Sequence, residues 1–282
     1  MEAYKSEKHC AFTDLAYHEG AWYLVFREGQ KHMFSNGRIV ILKSADGEKW
    51  EKFTETKTMN DVRDPRFYKR EGNLFVLINF QRCDWRGKKV VSQEVLLWDM
   101  RKSLKEKGKT LFINFVKGEE ALAYNPVAGR TLSLINFKKN KIISLPAFTD
   151  TTEGAFFDVK GKRTYLIRRD INPSYWIKEI NKREMVIIST GEHWHCPYIF
   201  QKDGMIYFLA RKTAKNYKTS QLWLSKIDPL KLKIVPLKRL EGFGDCGYFG
   251  YANGLISYYS SYDKKETQKT AIYIEKVEDF QE

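Results

Sequence analysis

Short apolar runs broken by turn residues recur along most of the chain, and no stretch holds a helical period for long. Six segments share one form: a short strand, a turn closed by glycine, then a second strand rich in aromatic and β-branched residues. They are Ala16 to Gly20 leading into Ala21 to Phe26, Phe67 to Gly72 into Asn73 to Phe80, and Tyr124 to Gly129 into Arg130 to Phe137. The other three are Phe156 to Gly161 into Lys162 to Ile167, Tyr198 to Gly204 into Met205 to Ala210, and Gly250 to Gly254 into Leu255 to Tyr259. The turn glycines are 52, 57, 32, 43 and 50 residues apart. Tight hairpin turns need positive φ, which explains glycine there.

Strand-like runs between these units, Arg38 to Lys43, Val90 to Trp98, Lys141 to Leu145, Tyr175 to Ile180, Gln221 to Ile227 and Thr270 to Val277, supply outer strands. The intervals match four-stranded blades, so the expectation is one all-β domain over residues 1–282, a six-bladed β-propeller. A five-bladed propeller with one hairpin miscounted, or a β-sandwich, are the alternatives. The third unit is the weakest, because Asn125-Pro126 interrupts its first strand.

In a propeller the innermost strand of each blade runs along the axis and the next returns beside it. Residues before each first strand and after each second strand therefore share one face and surround an axial pocket. The first-strand starts carry Thr13-Asp14, Arg63-Asp64-Pro65, Glu119-Glu120, Thr152-Glu153-Gly154, Cys196-Pro197 and Asp245-Cys246-Gly247-Tyr248. The second-strand ends carry Arg27-Glu28, Asn79 and Gln81, Asn136, Arg168-Arg169-Asp170, Arg211-Lys212 and Tyr259-Ser260-Ser261. Arg27, Arg168 and Arg211 each follow an apolar run at the same topological position. Guanidinium groups gathered near one axis repel unless anions lie between them, and the fork of arginine suits a carboxylate. The alternative is a structural network with Glu28, Asp64 and Glu153.

Composition supports this reading. The chain is 43% hydrophobic and 15% aromatic, enough to build a core of strands. Its 49 lysines and arginines against 35 aspartates and glutamates give a formal +14, a potential that draws anions. The run holding Arg101, Lys102, Lys105, Lys107 and Lys109 reads as a solvated loop, so nucleic acid is not the expected partner. Cys10, Cys83, Cys196 and Cys246 form no C-x-x-C pair, and no metal or cofactor is expected. His193-Trp194-His195-Cys196 holds metal-ligand residue types, but nothing else at ligand spacing supports a site. No apolar run is long enough to span a membrane and no signal-peptide core is legible, so the expected compartment is the cytoplasm.

These residues resemble the sialidase (neuraminidase) superfamily, in particular its divergent bacterial members with a compact propeller. The resemblance rests on Phe12-Thr13-Asp14-Leu15 with Phe26-Arg27-Glu28, Asp61-Val62-Arg63-Asp64-Pro65, Glu153 with Arg168, Ala210-Arg211, and Gly244 to Tyr248 with Ser257 to Ser261. Ser44-Ala45-Asp46-Gly47-Glu48-Lys49-Trp50 is similar to an Asp box one residue short, in which the aspartate is a turn device. The resemblance implies a glycoside hydrolase acting on an acidic sugar, with Tyr248 as nucleophile, Glu153 as its partner, and Arg168 and Arg211 among the carboxylate-binding arginines. A tyrosine nucleophile is a known exception to the two-carboxylate pattern of glycosidases.

Two family elements are missing. The place of the Arg-Ile-Pro sequence reads Phe12-Thr13-Asp14-Leu15, leaving Arg27 or Arg63 to substitute. The loop that carries the family's acid/base aspartate reads Gln30 to Gly37, where His32 is the candidate acid, with Asp14 and Asp64 as rivals. Asp14 and Asp245 are further candidates for substrate contact. The second functional expectation is a non-catalytic propeller that binds an acidic glycan or nucleotide.

Overall fold

The computed structural model describes residues 1–32, 35–83, 90–99, 106–107, 111–125, 131–181, 184–214, 220–262 and 269–277. Most of the Arg101 to Lys109 run, Trp85 and Gly129 lie outside the described residues.

The strands form six four-stranded antiparallel sheets, five of them running outward in chain order. The first blade is His9–His18, Ala21–Gly29, Gly37–Ser44 and Glu51–Glu55; the second is Val62–Arg70, Asn73–Cys83, Val90–Asp99 and Glu106–Lys107. The third is Phe112–Lys117, Glu120–Asn125, Thr131–Asn136 and Lys141–Leu145; the fourth is Thr151–Val159, Lys162–Arg169, Tyr175–Asn181 and Glu184–Ser189. The fifth is Trp194–Lys202, Met205–Thr213, Ser220–Asp228 and Lys233–Leu240. In the sixth, Cys246–Ala252, Leu255–Ser261 and Thr270–Lys276 are completed on the outside by Glu2–Lys5 from the other end of the chain. Each innermost strand touches the next around the ring, and the sixth meets the first, so the sheet edges nearest the axis are covered.

Five of the six inner hairpins turn on a left-handed residue followed by left-handed glycine: Glu19-Gly20, Glu71-Gly72, Lys160-Gly161, Asp203-Gly204 and Asn253-Gly254. Positive φ at both central positions matches the strand twist, the type I′ solution. The third hairpin departs from expectation. It closes at Gly118 (φ 61°), with Phe112–Lys117 as inner strand and Glu120–Asn125 as its return. The break after Asn125 separates the second and third strands instead of the first and second. Glu119 and Glu120 therefore lie at the hairpin end, where Glu120 faces Asn136, and none of the three reaches the axial pocket.

Apolar residues between blades make the core; one cluster joins Phe115, Phe156, Trp176 and Phe208 across the third, fourth and fifth blades. Closure between the sixth and first blades is tight. A Cβ on Gly250 would stand 2.3 Å from the Leu15 backbone nitrogen, so no larger residue fits. Asp46 accepts hydrogen bonds from the N–H groups of Glu48 and Lys49 at 2.8 Å and from Ser44 Oγ at 3.0 Å, which holds its carboxyl down at about 2.

Candidate active site

All six innermost strands slip register at the same level, between Ala11 and Asp14, Arg63 and Arg66, Ile113 and Phe115, Thr151 and Gly154, His195 and Tyr198, and Gly247 and Gly250. A bulge inserts one residue and re-aims the side chains around it. Phe12, Asp64, Cys196 and Tyr248 sit in these bulges with φ of 63°, 43°, 51° and 45°. A left-handed non-glycine residue costs on the order of 1–3 kcal/mol and persists only where its surroundings hold it. Here the blades hold one another. Thr13 Oγ1 donates to the Tyr248 carbonyl at 2.7 Å, and Arg66 donates to the carbonyls of Thr13 and Phe249 at 3.0 Å each.

Glu153 and Tyr248 meet inside this ring. The Tyr248 hydroxyl donates to Glu153 Oε1, while Oε2 accepts the Cys196 N–H at 3.0 Å and faces Arg168 Nη1 at 2.8 Å. Burial alone would raise the Glu153 carboxyl; Arg168 and the tyrosine donor outweigh it and hold it at about 2. Burial, and then the Glu153 charge, push the Tyr248 phenol well above its ordinary range. The proton therefore rests on the tyrosine, with its acceptor already in place.

Arginines border the pair. Arg168 also reaches Asp170 at 3.1 Å, and Arg211 donates to the Cys246 carbonyl at 2.8 Å and lies 3.9 Å from Asp245. Both keep 17% of the side chain exposed, enough to meet a ligand. Arg63 is paired with Asp61 and 11% exposed. Beside it, Asp64 accepts from Asn79 at 3.2 Å through Oδ2, while its buried Oδ1 has no partner. Burial, then the charge of Glu153, raise the Asp64 carboxyl to about 6.

On the other flank Asp245 collects two imidazoles. His9 Nε2 lies 2.7 Å and His32 Nδ1 2.6 Å from Oδ2, and the Tyr259 hydroxyl donates to Oδ1 at 2.8 Å. Burial opposes the charge, but these donors hold Asp245 well below the usual carboxylate range. Phe12 bridges the two flanks, edge-on to Tyr248 at 4.8 Å and to His32 at 5.2 Å between ring centroids.

Of the residues singled out in the sequence, Tyr248, Glu153, Asp64, Arg168, Arg211, Arg63, Asp245 and His32 are on this face, and two are placed apart from it. Arg27 is fully buried and donates to the carbonyls of Lys31 and Ser35 at 2.8 and 3.0 Å, tying down the loop that presents His32. Its place is structural because the loop closes over it. Asp14 lies past the bulge, accepts the Phe67 N–H at 2.8 Å, and lines a separate cavity of about 350 Å³ with Tyr198 and Tyr251. Sequence reading missed His9 and Tyr124. Tyr124 is partly buried near Asp64, Glu153 and Arg168 and was read as opening an inner strand, whereas it closes the return strand of the third blade; His9 precedes the run taken as the first strand. A groove of about 480 Å³ on the same face, between the fourth and fifth blades, is lined by Asn172, Glu192, His193, Lys212, Thr213 and Gln221 among others.

Solved structures share this architecture. The chain superposes on Trypanosoma rangeli sialidase in complex with 2,3-difluoro-KDN with a TM-score of 0.64 at 12% identity, over 96% of this chain and 54% of that one. The same sialidase with 2,3-difluorosialic acid, a covalent intermediate, gives 0.62 at 11%, over 96% and 54%. The fold is a sialidase-like β-propeller. A GH43_1 enzyme from Xanthomonas citri aligns with a TM-score of 0.50 at 9% identity, over 98% of this chain and 90% of that one. The chain spans about half the length of the sialidases it matches. No protein-family model matches it, and no curated protein does.

Proposed function

We propose that this propeller is a retaining glycoside hydrolase for a sugar that carries a carboxylate at its reacting carbon. The observation that supports it is the hydrogen-bonded series Tyr248, Glu153, Arg168 inside the ring of bulged inner strands, with Arg211 alongside. The Arg168 and Arg211 side chains are each 17% exposed, and the arginine fork suits a bidentate carboxylate. A substrate anion held there would repel a carboxylate nucleophile. A phenol avoids this, since it is neutral until it attacks and its neighbour takes the proton.

In the first step the Tyr248 oxygen bonds to the anomeric carbon and the glycosidic C–O bond breaks. The phenol proton passes to Glu153, and the leaving oxygen takes a proton from an acid of the pocket, for which Asp64 and His32 are the candidates. In the second step water displaces Tyr248, giving its proton to that same group, and Glu153 returns the proton to the phenol. Glu153 is ionised at neutral pH and ready to accept, because Arg168 stabilises its charge.

The test is turnover of a panel of aryl and alkyl glycosides of 2-keto acid sugars, fluorogenic sialosides included, by the purified protein. Tyr248→Phe should lower kcat by about a thousandfold or more while leaving the melting temperature within a few degrees. Undiminished turnover in that variant refutes the assignment. Tight binding of an acidic sugar recovered unchanged would favour a non-catalytic binding protein.

A further inference from the structure

We infer that His32 is the group that protonates the leaving oxygen, and that Asp245, with His9 behind it, is the pair that positions it; this rests on the hydrolase reading above. The His9–Asp245–His32 array stands outside the Tyr248–Glu153 pair, yet Phe12 touches both Tyr248 and His32 edge-on. An ionised carboxylate only accepts, so the two imidazoles each turn an N–H toward Asp245 Oδ2. That fixes the tautomer of His32 and leaves Nε2 as the nitrogen that gains and loses a proton at the pocket rim. Asp245 is itself immobilised, by Tyr259 on Oδ1 and through its own N–H to Ser261 Oγ at 3.0 Å.

Exposure separates the two candidate acids. The leaving oxygen carries the rest of the substrate, so its proton donor must face open space. The His32 side chain is 34% exposed, whereas Asp64 is 5% exposed and its free oxygen is buried beside Glu153. His9, fully buried with Nδ1 unpartnered, is kept neutral by burial and serves as a fixed donor. The titratable and charged groups around His32 are Asp245, His9, Arg27 behind His9, and Tyr259 and Arg211, which reach the other oxygen of Asp245. Arg211, 3.9 Å from Asp245, links this array to the arginine pair proposed to take the substrate carboxylate.

His9, His32 and Asp245 also offer ligand atoms within 4.8 Å of one another. The N···O separations of 2.6 and 2.7 Å are those of hydrogen bonds, and the nearby Arg211 charge disfavours a bound cation.

The experiment compares pH profiles of wild type, His32→Gln, Asp245→Asn and Asp64→Asn on an aryl glycoside with a good leaving group and an alkyl glycoside with a poor one. His32→Gln should lose about a hundredfold to ten-thousandfold in kcat on the alkyl substrate, far less on the aryl one, and lose the basic limb of its profile. Asp245→Asn, which keeps volume, should move that limb to lower pH, because the imidazolium loses its anion. Equal losses on both substrates in His32→Gln with an unchanged basic limb, or the leaving-group dependence appearing in Asp64→Asn instead, would overturn the inference while the hydrolase reading stands. Stoichiometric zinc retained on purification and lost in His32→Gln would overturn it as well. A wild type inert on every substrate would overturn both.

Discussion

Replacing Glu153 with glutamine tests the energetics on which the pocket rests. Glu153 is 3% exposed, and its Oε2 lies 2.8 Å from Arg168. Its carboxyl is held at about 2 against an ordinary 4.5. A difference of that size corresponds to about 3 kcal/mol of folding free energy, at ~1.4 kcal/mol per pH unit. Loss of one partner of a buried ion pair costs about 3–5 kcal/mol by analogy, which agrees. The folded pKa is depressed, so the contribution is complete above the unfolded value and fades as pH falls toward the folded one. Glu153→Gln should therefore be less stable than wild type by about 3 kcal/mol at pH 7, a drop in Tm of about 6–12 °C for a domain of this size. The gap should narrow steadily from pH 4.5 downward. Urea denaturation of both proteins between pH 2.5 and 7 measures it. A gap below about 1 kcal/mol at pH 7, or one that does not change with pH, would refute the claim that Arg168 and Glu153 support each other.

The close passage of the sixth blade over the first gives a second expectation: Gly250→Ala should destabilise by about 1–3 kcal/mol, because its methyl group would press on the Leu15 and Asp14 backbone. An unchanged melting temperature would show that the ring can expand there. Removing Met1 to Lys5 strips the outer strand of the sixth blade, including the paired bonds between Met1 and Ile274 at 2.9 Å, and should lower the melting temperature measured by circular dichroism. A truncated protein that melts with the full chain would mean that this strand adds nothing to closure.

Local chemistry carried much of this protein's form into its linear pattern. Five hairpins were legible because Glu-Gly, Lys-Gly, Asp-Gly and Asn-Gly turns select positive φ through neighbouring residues alone. The third was misplaced because Gly118 is followed by two glutamates that resemble a loop, while the real break after Asn125 looked like a hairpin turn. Topology then brought Glu153 and Arg168 of the fourth blade, Arg211 of the fifth and Tyr248 of the sixth to one face, since strand starts and ends converge whatever lies between them. What the linear pattern could not hold was which way each side chain turns. The bulge that aims Tyr248 inward is held by Thr13 of the neighbouring blade, which donates to its carbonyl, and no local rule predicts a left-handed tyrosine. The same tertiary contacts sent Arg27 into a loop, Asp14 past the bulge and His9 onto Asp245. Residue types and spacing thus set the architecture and the chemistry on offer; closure of the ring decided which of those groups meet, because only there do residues hundreds of positions apart come within hydrogen-bonding distance.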